Sequence, residues 1–280
     1  MIKLANYQSK HSGTYIDQGV DLAHKALQAD DLIPYNVLTY NNAGAHNALY
    51  RGEYLGEAVR SEQWNVIDAE TFDDLYIGDY WTINGINWRI AAFDYWLHSG
   101  DTECTTPHVF IVPDTNLVAG CPMNSTDVTT GAYVGSNFYT GANGNTGKSQ
   151  CVTQINAAFG SAHILSHREY LKNAVTNGYE SAGAWYDSTV ALMTEQMVYG
   201  GKVFGNCANG TNVPASYTID KSQLPLFAHD PSKISNRANW WLRDVVSDAS
   251  FANISANGYC DCNGAPYSAI GIRPVYAIKA

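Results

Sequence analysis

Four residues between positions 98 and 108 form the group in this chain that most resembles a metal site. His98, Asp101, Cys104 and His108 stand at i, i+3, i+6 and i+10, and a loop can bring such side chains together around zinc. The same residue types more often supply hydrogen bonds within a loop. We therefore predict no metal site, and metal binding by this group is the alternative.

The cysteines are the second candidate for chemistry. Their spacing matches neither a zinc framework nor a compact disulfide scaffold. Cys260 and Cys262 suggest a redox pair, but two cysteines one residue apart are too strained for an ordinary disulfide. We predict that most of the six are free thiols: Cys104, Cys121, Cys151, Cys207, Cys260 and Cys262.

Catalytic motifs are absent from the sequence, which contains neither a nucleophile elbow nor a zinc-protease pattern. The acidic residues Asp68, Glu70, Asp73 and Asp74 are close enough in sequence to suggest calcium. They precede a predicted strand pair, and we interpret them as a solvated face. The paired carboxylates of a glycosidase leave no local signature, so a surface-polysaccharide hydrolase stays an alternative. We expect no catalytic residue, no cofactor and no enzymatic activity.

The strands that must position any site are predicted most clearly near residue 85. Two aromatic and β-branched runs, 80–83 and 86–93, flank the pair Asn84-Gly85. This is a strong hairpin signal, because both residues of such a turn take positive φ. Residues 131–148, rich in Gly, Asn and Thr, are predicted to form long loops. Further strands are predicted at 109–112, 240–243 and 272–278.

Helices are predicted in the middle of the chain. Apolar residues at helical spacing indicate one helix over residues 152–159. Ser166-His167-Arg168-Glu169 has the form of a capping box and predicts a second helix. Asp187 or Ser188 would cap a third, ending near Gly200. Strands, then helices, then strands, separated by long loops, indicate an α+β fold.

Residues 1–60 are predicted to be an N-terminal helix and a connector. Thr14-Tyr15-Ile16-Asp17 approximates a capping box, and a narrow apolar stripe follows it at helical spacing: Ile16, Val20, Ala23 and Leu27. Such a stripe is typical of an oligomerising stalk, for which a trimer is the usual solution in fibres. A short helix packed on its own domain is the equal alternative.

Composition limits the classes of partner. Charged residues make up only 15% of the chain and its net charge is −10, so a nucleic-acid partner is not expected. The sequence has no apolar run long enough to cross a membrane, and its first residues are too polar for a signal peptide. We therefore expect a protein made in the cytoplasm, outside the secretory route and without membrane insertion.

The window 247–270 has the most unusual composition. It contains no Lys, Arg, Glu, Gln, Leu, Met, Trp or His, and small polar and aromatic residues dominate it. This set makes adaptable contacts in antibody paratopes. Two strongly apolar segments flank the window, an arrangement that places binding residues on a rigid scaffold. A plain solvated loop has the same composition, so composition alone leaves both interpretations open.

Residues on either side of this window carry a resemblance. Trp240-Trp241-Leu242-Arg243, Phe251-Ala252, Gly258 and Gly271-Ile272-Arg273-Pro274 resemble the C-terminal pattern of an uncharacterised domain family in Firmicute and phage proteins. The pattern is also similar to that of variable proteins diversified by retroelements, of the phage major tropism determinant type. Ser12-Gly13-Thr14-Tyr15-Ile16-Asp17 further resembles a motif that opens several phage tail-fibre proteins.

The resemblance implies a C-type lectin-like fold, related to that of formylglycine-generating enzymes, over residues 61–280. Its C-terminal segment would vary by adenine-directed mutagenesis of Asn codons. Asn codons changed at their two adenines cannot yield Lys, Gln, Glu, Met or Trp, and none of these occurs in residues 247–270. Cys260 and Cys262 would then be variable residues and not a redox pair.

The implied framework positions are structural: Trp240, Trp241, Leu242, Arg243, Phe251, Gly271, Arg273 and Pro274. Between them lie the implied ligand-binding residues, which are Ser247, Asp248, Asn253, Ser255, Asn257, Tyr259, Asp261, Asn263, Tyr267 and Ala269.

The expected function is that of a phage or prophage adhesin on the virion surface, a homotrimer that binds a host-cell surface protein or glycan and contacts other virion proteins. A virion structural protein without a receptor role is the further alternative.

Overall fold

A computed structural model describes residues 41–171, 183–205 and 222–280, together with the backbone of 175–176 and 179–180. The described residues belong to a unit that runs from Asn41 to Ala280. The predicted helix over residues 14–27, the tail-fibre-like motif 12–17 and Cys207 all lie outside the described residues.

The largest sheet has six strands: β1 (Tyr54–Gly56), β2 (Tyr80–Ile83), β3 (Ile86–Phe93), β4 (Val109–Pro113), β9 (Val190–Leu192) and β13 (Pro274–Ile278). Their order across the sheet is β1-β2-β3-β4-β13-β9. β1 pairs parallel with β2, and the other pairs are antiparallel. Asn84 and Gly85 have φ values of 53° and 75°, which confirms the predicted hairpin between β2 and β3.

Three smaller sheets complete the β-structure of the described residues. Their strands are β5 (His167–Leu171), β6 (Val175–Thr176), β7 (Tyr179–Glu180), β8 (Ala184–Ser188), β10 (Trp240–Val245), β11 (Ser250–Ile254) and β12 (Cys260–Gly264). β10, β11 and β12 form an antiparallel three-stranded sheet in chain order, while β5 pairs with β8 and β6 with β7.

The described helices are short apart from one. The α-helices are α1 (Ala43–Asn47), α2 (Ser61–Asp68), α3 (Ala132–Gly135), α4 (Asn137–Thr140), α5 (Gly147–Phe159), α6 (Glu195–Tyr199) and α7 (Pro225–His229), with 3-10 turns at Ala142–Gly144, Ser161–His163 and Pro231–Lys233. The predicted helix over 152–159 is confirmed as the end of α5. Residues 131–148, predicted to be loops, also contain α3 and α4.

Aromatic residues on one face of the large sheet hold α5 in place. Phe159 at the end of α5 contacts Trp88 edge to face at 5.6 Å, and Tyr276 lies 5.9 Å from the same indole. All three side chains are buried. Burying aromatic rings of this size is a large hydrophobic contribution, so this contact fixes the helix against β3 and β13.

Two helix predictions are wrong. Residues 167–171 form β5, paired with β8 from His167 opposite Ser188 to Leu171 opposite Ala184. The capping-box pattern there is overridden because the strand conformation buries Glu169, whose carboxylate is paired with Arg243. The predicted third helix instead contains the end of β8, all of β9 and the short α6. Thr194 caps α6, and Gly200 ends it with a φ of 77°.

The described residues therefore form an α+β fold of several sheets with few helices, as predicted. Residues 43–56, placed by the sequence in a connector, form α1 and β1. Asn47 fastens this stretch to β3, because its side-chain amide bonds both the backbone N–H and the carbonyl of Phe93. No helix within the described part of the chain is long and apolar enough to cross a membrane.

Candidate ligand-binding face

Trp241 anchors the three-stranded sheet to the rest of the domain. Its indole Nε1 donates to the carbonyl of Cys121 at 2.7 Å, and its backbone N–H donates to the carbonyl of Gly271 at 3.0 Å. Its ring contacts Phe251 edge to face. Every expected framework position is buried, as a structural role requires: Trp240, Trp241, Leu242, Arg243, Phe251, Gly271, Arg273 and Pro274.

The hydrogen-bond partners of the framework residue Arg273 lie inside the protein. Its guanidinium donates to the carbonyls of Pro113 at 2.7 Å and Lys233 at 2.8 Å, and lies 5.2 Å from the centre of the Trp240 ring. Complete burial lowers the pKa of Arg273 to about 10, while the charge of Asp114 opposes that shift. The side chain is therefore committed to the interior and cannot contact a ligand.

The implied ligand-binding residues divide by exposure. Tyr259 and Tyr267 are 58% and 49% exposed, which is large for aromatic residues. Asp248, Asn257 and Ala269 are also exposed. We call these five the display set. The remaining implied residues are half-buried or buried, the former being Ser247, Asp261 and Asn263, the latter Asn253 and Ser255.

Two of the implied ligand-binding residues, Asn253 and Ser255, are buried, which does not fit the sequence-based expectation that they contact a ligand. Asn253 is on the central strand β11 and is fully buried, and its Oδ1 accepts a hydrogen bond from Asn263 Nδ2 at 2.8 Å. Ser255 Oγ accepts from the backbone N–H of Tyr259 at 3.3 Å and so stabilises a turn. The central strand of the sheet therefore hides Asn253, and the turn that follows this strand buries Ser255.

Hydrogen bonds fix the backbone turns that carry the display set. Ser247 Oγ accepts from the backbone N–H of Ser250 at 3.1 Å, while Thr129 donates to the carbonyls of Ser247 and Asp248. At the next turn, Tyr199 OH donates to the carbonyl of Gly258 at 2.8 Å. The exposed side chains therefore project from turns that the scaffold fixes, as a pre-organised binding surface requires.

At one end of the face lie two exposed apolar residues that the sequence did not predict to be part of it. Val203 and Phe204 are 57% and 44% exposed, and their backbone N–H groups each donate to the buried carboxylate of Glu195 at 2.8 Å. Cys260 Sγ contacts the same carboxylate at 3.0 Å. Burial and Glu195 raise the pKa of the Cys260 thiol. Glu195 therefore joins this apolar turn to β12, beside Tyr259.

The other end borders a pocket of about 250 Å³. Gly120, in its wall, packs so closely on the 266–269 turn that an added Cβ would lie 2.4 Å from Ser268 O. Cys121 extends this contact, because its N–H donates to the carbonyl of Ile270 at 2.9 Å. The asparagines and glycines of residues 131–148 predict loops, but their spacing does not predict this pocket.

The residues considered as a metal site, His98, Asp101, Cys104 and His108, bind separate partners. His98 pairs with Glu103, and Asp101 pairs with Arg168. His108 is buried, where its Nε2 accepts from the N–H of Trp96 at 3.0 Å. Among the described residues no group of three or more His, Cys, Asp or Glu side chains is placed to hold a metal ion.

The cysteines of the described residues are free thiols, as predicted. Cys104, Cys121 and Cys151 are buried, and Cys260 and Cys262 are half-buried.

The acidic residues before the hairpin lie at the surface. Asp68, Glu70, Asp73 and Asp74 are all exposed, which confirms the predicted solvated face.

Comparisons with known proteins found no matching family model, no matching curated protein and no matching solved structure.

Proposed function

We propose that this chain is the receptor-binding protein of a phage or prophage particle, and that its C-terminal segment displays the contact residues on a C-type lectin-like domain. The observation that carries the proposal is the division within residues 240–274. One set of side chains there is buried and holds the fold, while the display set projects from fixed turns. A segment that can change its contacts without changing its fold needs this division.

The chemistry of the display set suits recognition of a protein or glycan surface. Tyr259 and Tyr267 offer large aromatic contact areas at a low cost in conformational entropy. Asp248 and Asn257 add polar groups that can form hydrogen bonds with a ligand. Exposed aromatic residues on a rigid backbone are typical anchors of an interface. Display on a trimer, in many copies on a virion, would convert weak single contacts into strong avidity.

The experiment is to exchange the display set. Asp248, Asn257, Tyr259, Tyr267 and Ala269 are replaced together by other small polar or aromatic residues, and binding of the labelled protein to host cells is measured. We expect the variant to keep the unfolding midpoint of the wild type and to lose or change its binding partner. A matched control carries Glu57→Gln and Glu62→Gln, exposed positions outside the segment.

Unchanged binding by a folded display-set variant would refute the proposal. It would favour a virion structural protein, or a receptor site elsewhere. Release of sugar from host envelope material, measured on the same preparation, would favour the hydrolase. Retroelement diversification is tested separately, by a genomic near-copy of the C-terminal coding segment that differs at adenines and lies beside a reverse transcriptase gene.

A further inference from the structure

The pocket beside the 266–269 turn is neutral. It is walled by the 118–122 stretch, by α4 and by the start of α5, and its lining contains no Asp, Glu, Lys, Arg or His. This is notable in a chain of net charge −10. An ionic ligand would find no counter-charge there, and removing a charge from water without a partner is costly. The lining therefore favours an uncharged ligand.

Amide and hydroxyl groups in the pocket are oriented by one another. Asn143 Nδ2 donates to Ser125 Oγ at 3.2 Å and to Asn137 Oδ1 at 3.3 Å. Asn137 Oδ1 also accepts from the backbone N–H of Ser125 at 2.7 Å. These contacts use the donor of Asn143 and the acceptor of Asn137. They leave an acceptor, Asn143 Oδ1, and a donor, Asn137 Nδ2, for a ligand.

Gln150 adds a further oriented group on the first turns of α5. Its Nε2 donates to Thr146 Oγ1 at 2.6 Å, so its Oε1 stays available as an acceptor. Fixed donors and acceptors without charge match sugar hydroxyls, which donate and accept at the same atom. Gly120 in the pocket wall packs against Ser268, the residue next to Tyr267, whose side chain is exposed.

We propose that this pocket binds one ring of a neutral glycan, as the anchoring subsite of the display face. The inference rests on the proposed function, because it names the chemical class of the ligand for that face. Asn137, Asn143 and Gln150 bind hydroxyls in the pocket. The next part of the glycan extends over Tyr267 towards the rest of the display set, which selects among glycans that share the anchored ring.

The test is a titration followed by NMR of the ¹⁵N-labelled protein. The probes are methyl glycosides of glucose, galactose and N-acetylglucosamine, with N-acetylneuraminic acid as the charged counterpart. We expect at least one neutral glycoside to shift the side-chain amide signals of Asn137 and Asn143, and the charged sugar to leave them unchanged. Absence of any shift with the neutral probes, or a shift with the charged sugar alone, overturns the proposal.

Two variants test the amides without disturbing the fold. Asn143 has a φ of 53°, so Asn143→Gly removes its amide and keeps a conformation that glycine adopts freely. Gln150→Ala removes the second amide from an exposed helical position. Each should weaken glycoside binding roughly 2- to 12-fold, the value of one hydrogen bond. Thr153→Ala, an exposed change one turn further along α5, is the matched control and should leave binding unchanged.

The two proposals fail in different ways. If the pocket variants bind host cells and glycosides as the wild type does while the display-set variant loses cell binding, the pocket proposal is wrong and the receptor function stands. If glycoside binding depends on Asn143 and Gln150 but the display-set variant still binds cells normally, the pocket is a sugar site and the proposed display face is wrong.

Discussion

Arg243 on β10 donates to the carboxylate of Glu169 on β5, and both side chains are buried. This ion pair joins the three-stranded sheet of the display face to the two-stranded sheet of β5 and β8. Glu169 is fully enclosed, and burial by itself would favour its neutral form. The charge of Arg243, with a contribution from His167, nevertheless lowers the pKa of Glu169 to about 2.

The pKa of Glu169 predicts how stability depends on pH. The folded-state pKa is about 2 and the ordinary value is 4.5, so the unfolded chain binds the proton more readily. The stabilising contribution is therefore complete above pH 4.5 and is lost as pH falls from there towards 2. A shift of this size corresponds to about 3 kcal/mol. Urea unfolding at a series of pH values should show the loss, and Glu169→Gln should remove this part of the pH dependence.

Glu169→Gln should also be strongly destabilising at neutral pH. It leaves the buried Arg243 charge without its carboxylate, which typically costs about 3–5 kcal/mol. Adding Arg243→Met to a Glu169→Leu variant removes both charges and should recover much of the stability. If Glu169→Gln unfolds at the wild-type urea concentration, the pair does not hold the two sheets together.

Gly271 should tolerate no side chain. A Cβ at this position would lie 2.2 Å from Asn116 Nδ2 and 2.7 Å from the carbonyl oxygen of Val118. Since the carbonyl belongs to the backbone, it cannot move aside cheaply, and Gly271→Ala should cost about 1–3 kcal/mol. Gly201→Ala is the matched control, because a Cβ there meets no atom within 4 Å. Thermal unfolding of both variants measures the difference, and equal melting temperatures would contradict the tight contact.

Asn253 and Asn257 should respond in opposite ways to alanine. Asn253 is buried and bonds Asn263, so Asn253→Ala should lower the free energy of unfolding by about 1–3 kcal/mol through the lost partner. Asn257 is exposed, so Asn257→Ala should change stability by less than about 0.5 kcal/mol and act on cell binding instead. Urea unfolding and cell binding of each variant give the comparison. A stable Asn253→Ala variant with altered binding would restore Asn253 to the contact surface.

These two asparagines also show what the sequence could and could not reveal. They stand four positions apart in a window of uniform composition, and only the sheet decides that one is hidden and the other exposed. The hairpin at Asn84-Gly85 was predictable because its signal is local. The strand at 167–171 was not, because its partner strand begins at Ala184 and its capping-box pattern indicates a helix when considered alone.

The pocket also could not be predicted from the sequence. Asn137, Asn143 and Ser125 come together only when α4, the 3-10 turn Ala142–Gly144 and the 123–131 loop fold against one another. Asn137 and Asn143 lie in the stretch 131–148 that was predicted to be loops, which is correct in part, and Ser125 lies outside it. No spacing rule places the three side chains around a common space. The burial of the framework residues was easier to predict, because large apolar residues beside a polar window are typical of a buried scaffold.

The contact between Glu195 and Cys260 gives a prediction that reports on the apolar end of the display face. Burial and the neighbouring carboxylate both raise the pKa of the Cys260 thiol, which suppresses the reactive thiolate. Glu195→Gln keeps the size of the side chain and removes its charge, so the pKa of Cys260 should fall towards its ordinary value. Alkylation by iodoacetamide at pH 8.5, located by tandem mass spectrometry, should then be several-fold faster at Cys260. The pKa of Cys121 is raised by burial without a contribution from Glu195, so its alkylation should not change. Faster alkylation at both thiols would mean that the variant had loosened the whole domain, and no change at Cys260 would show that Glu195 does not control the thiol.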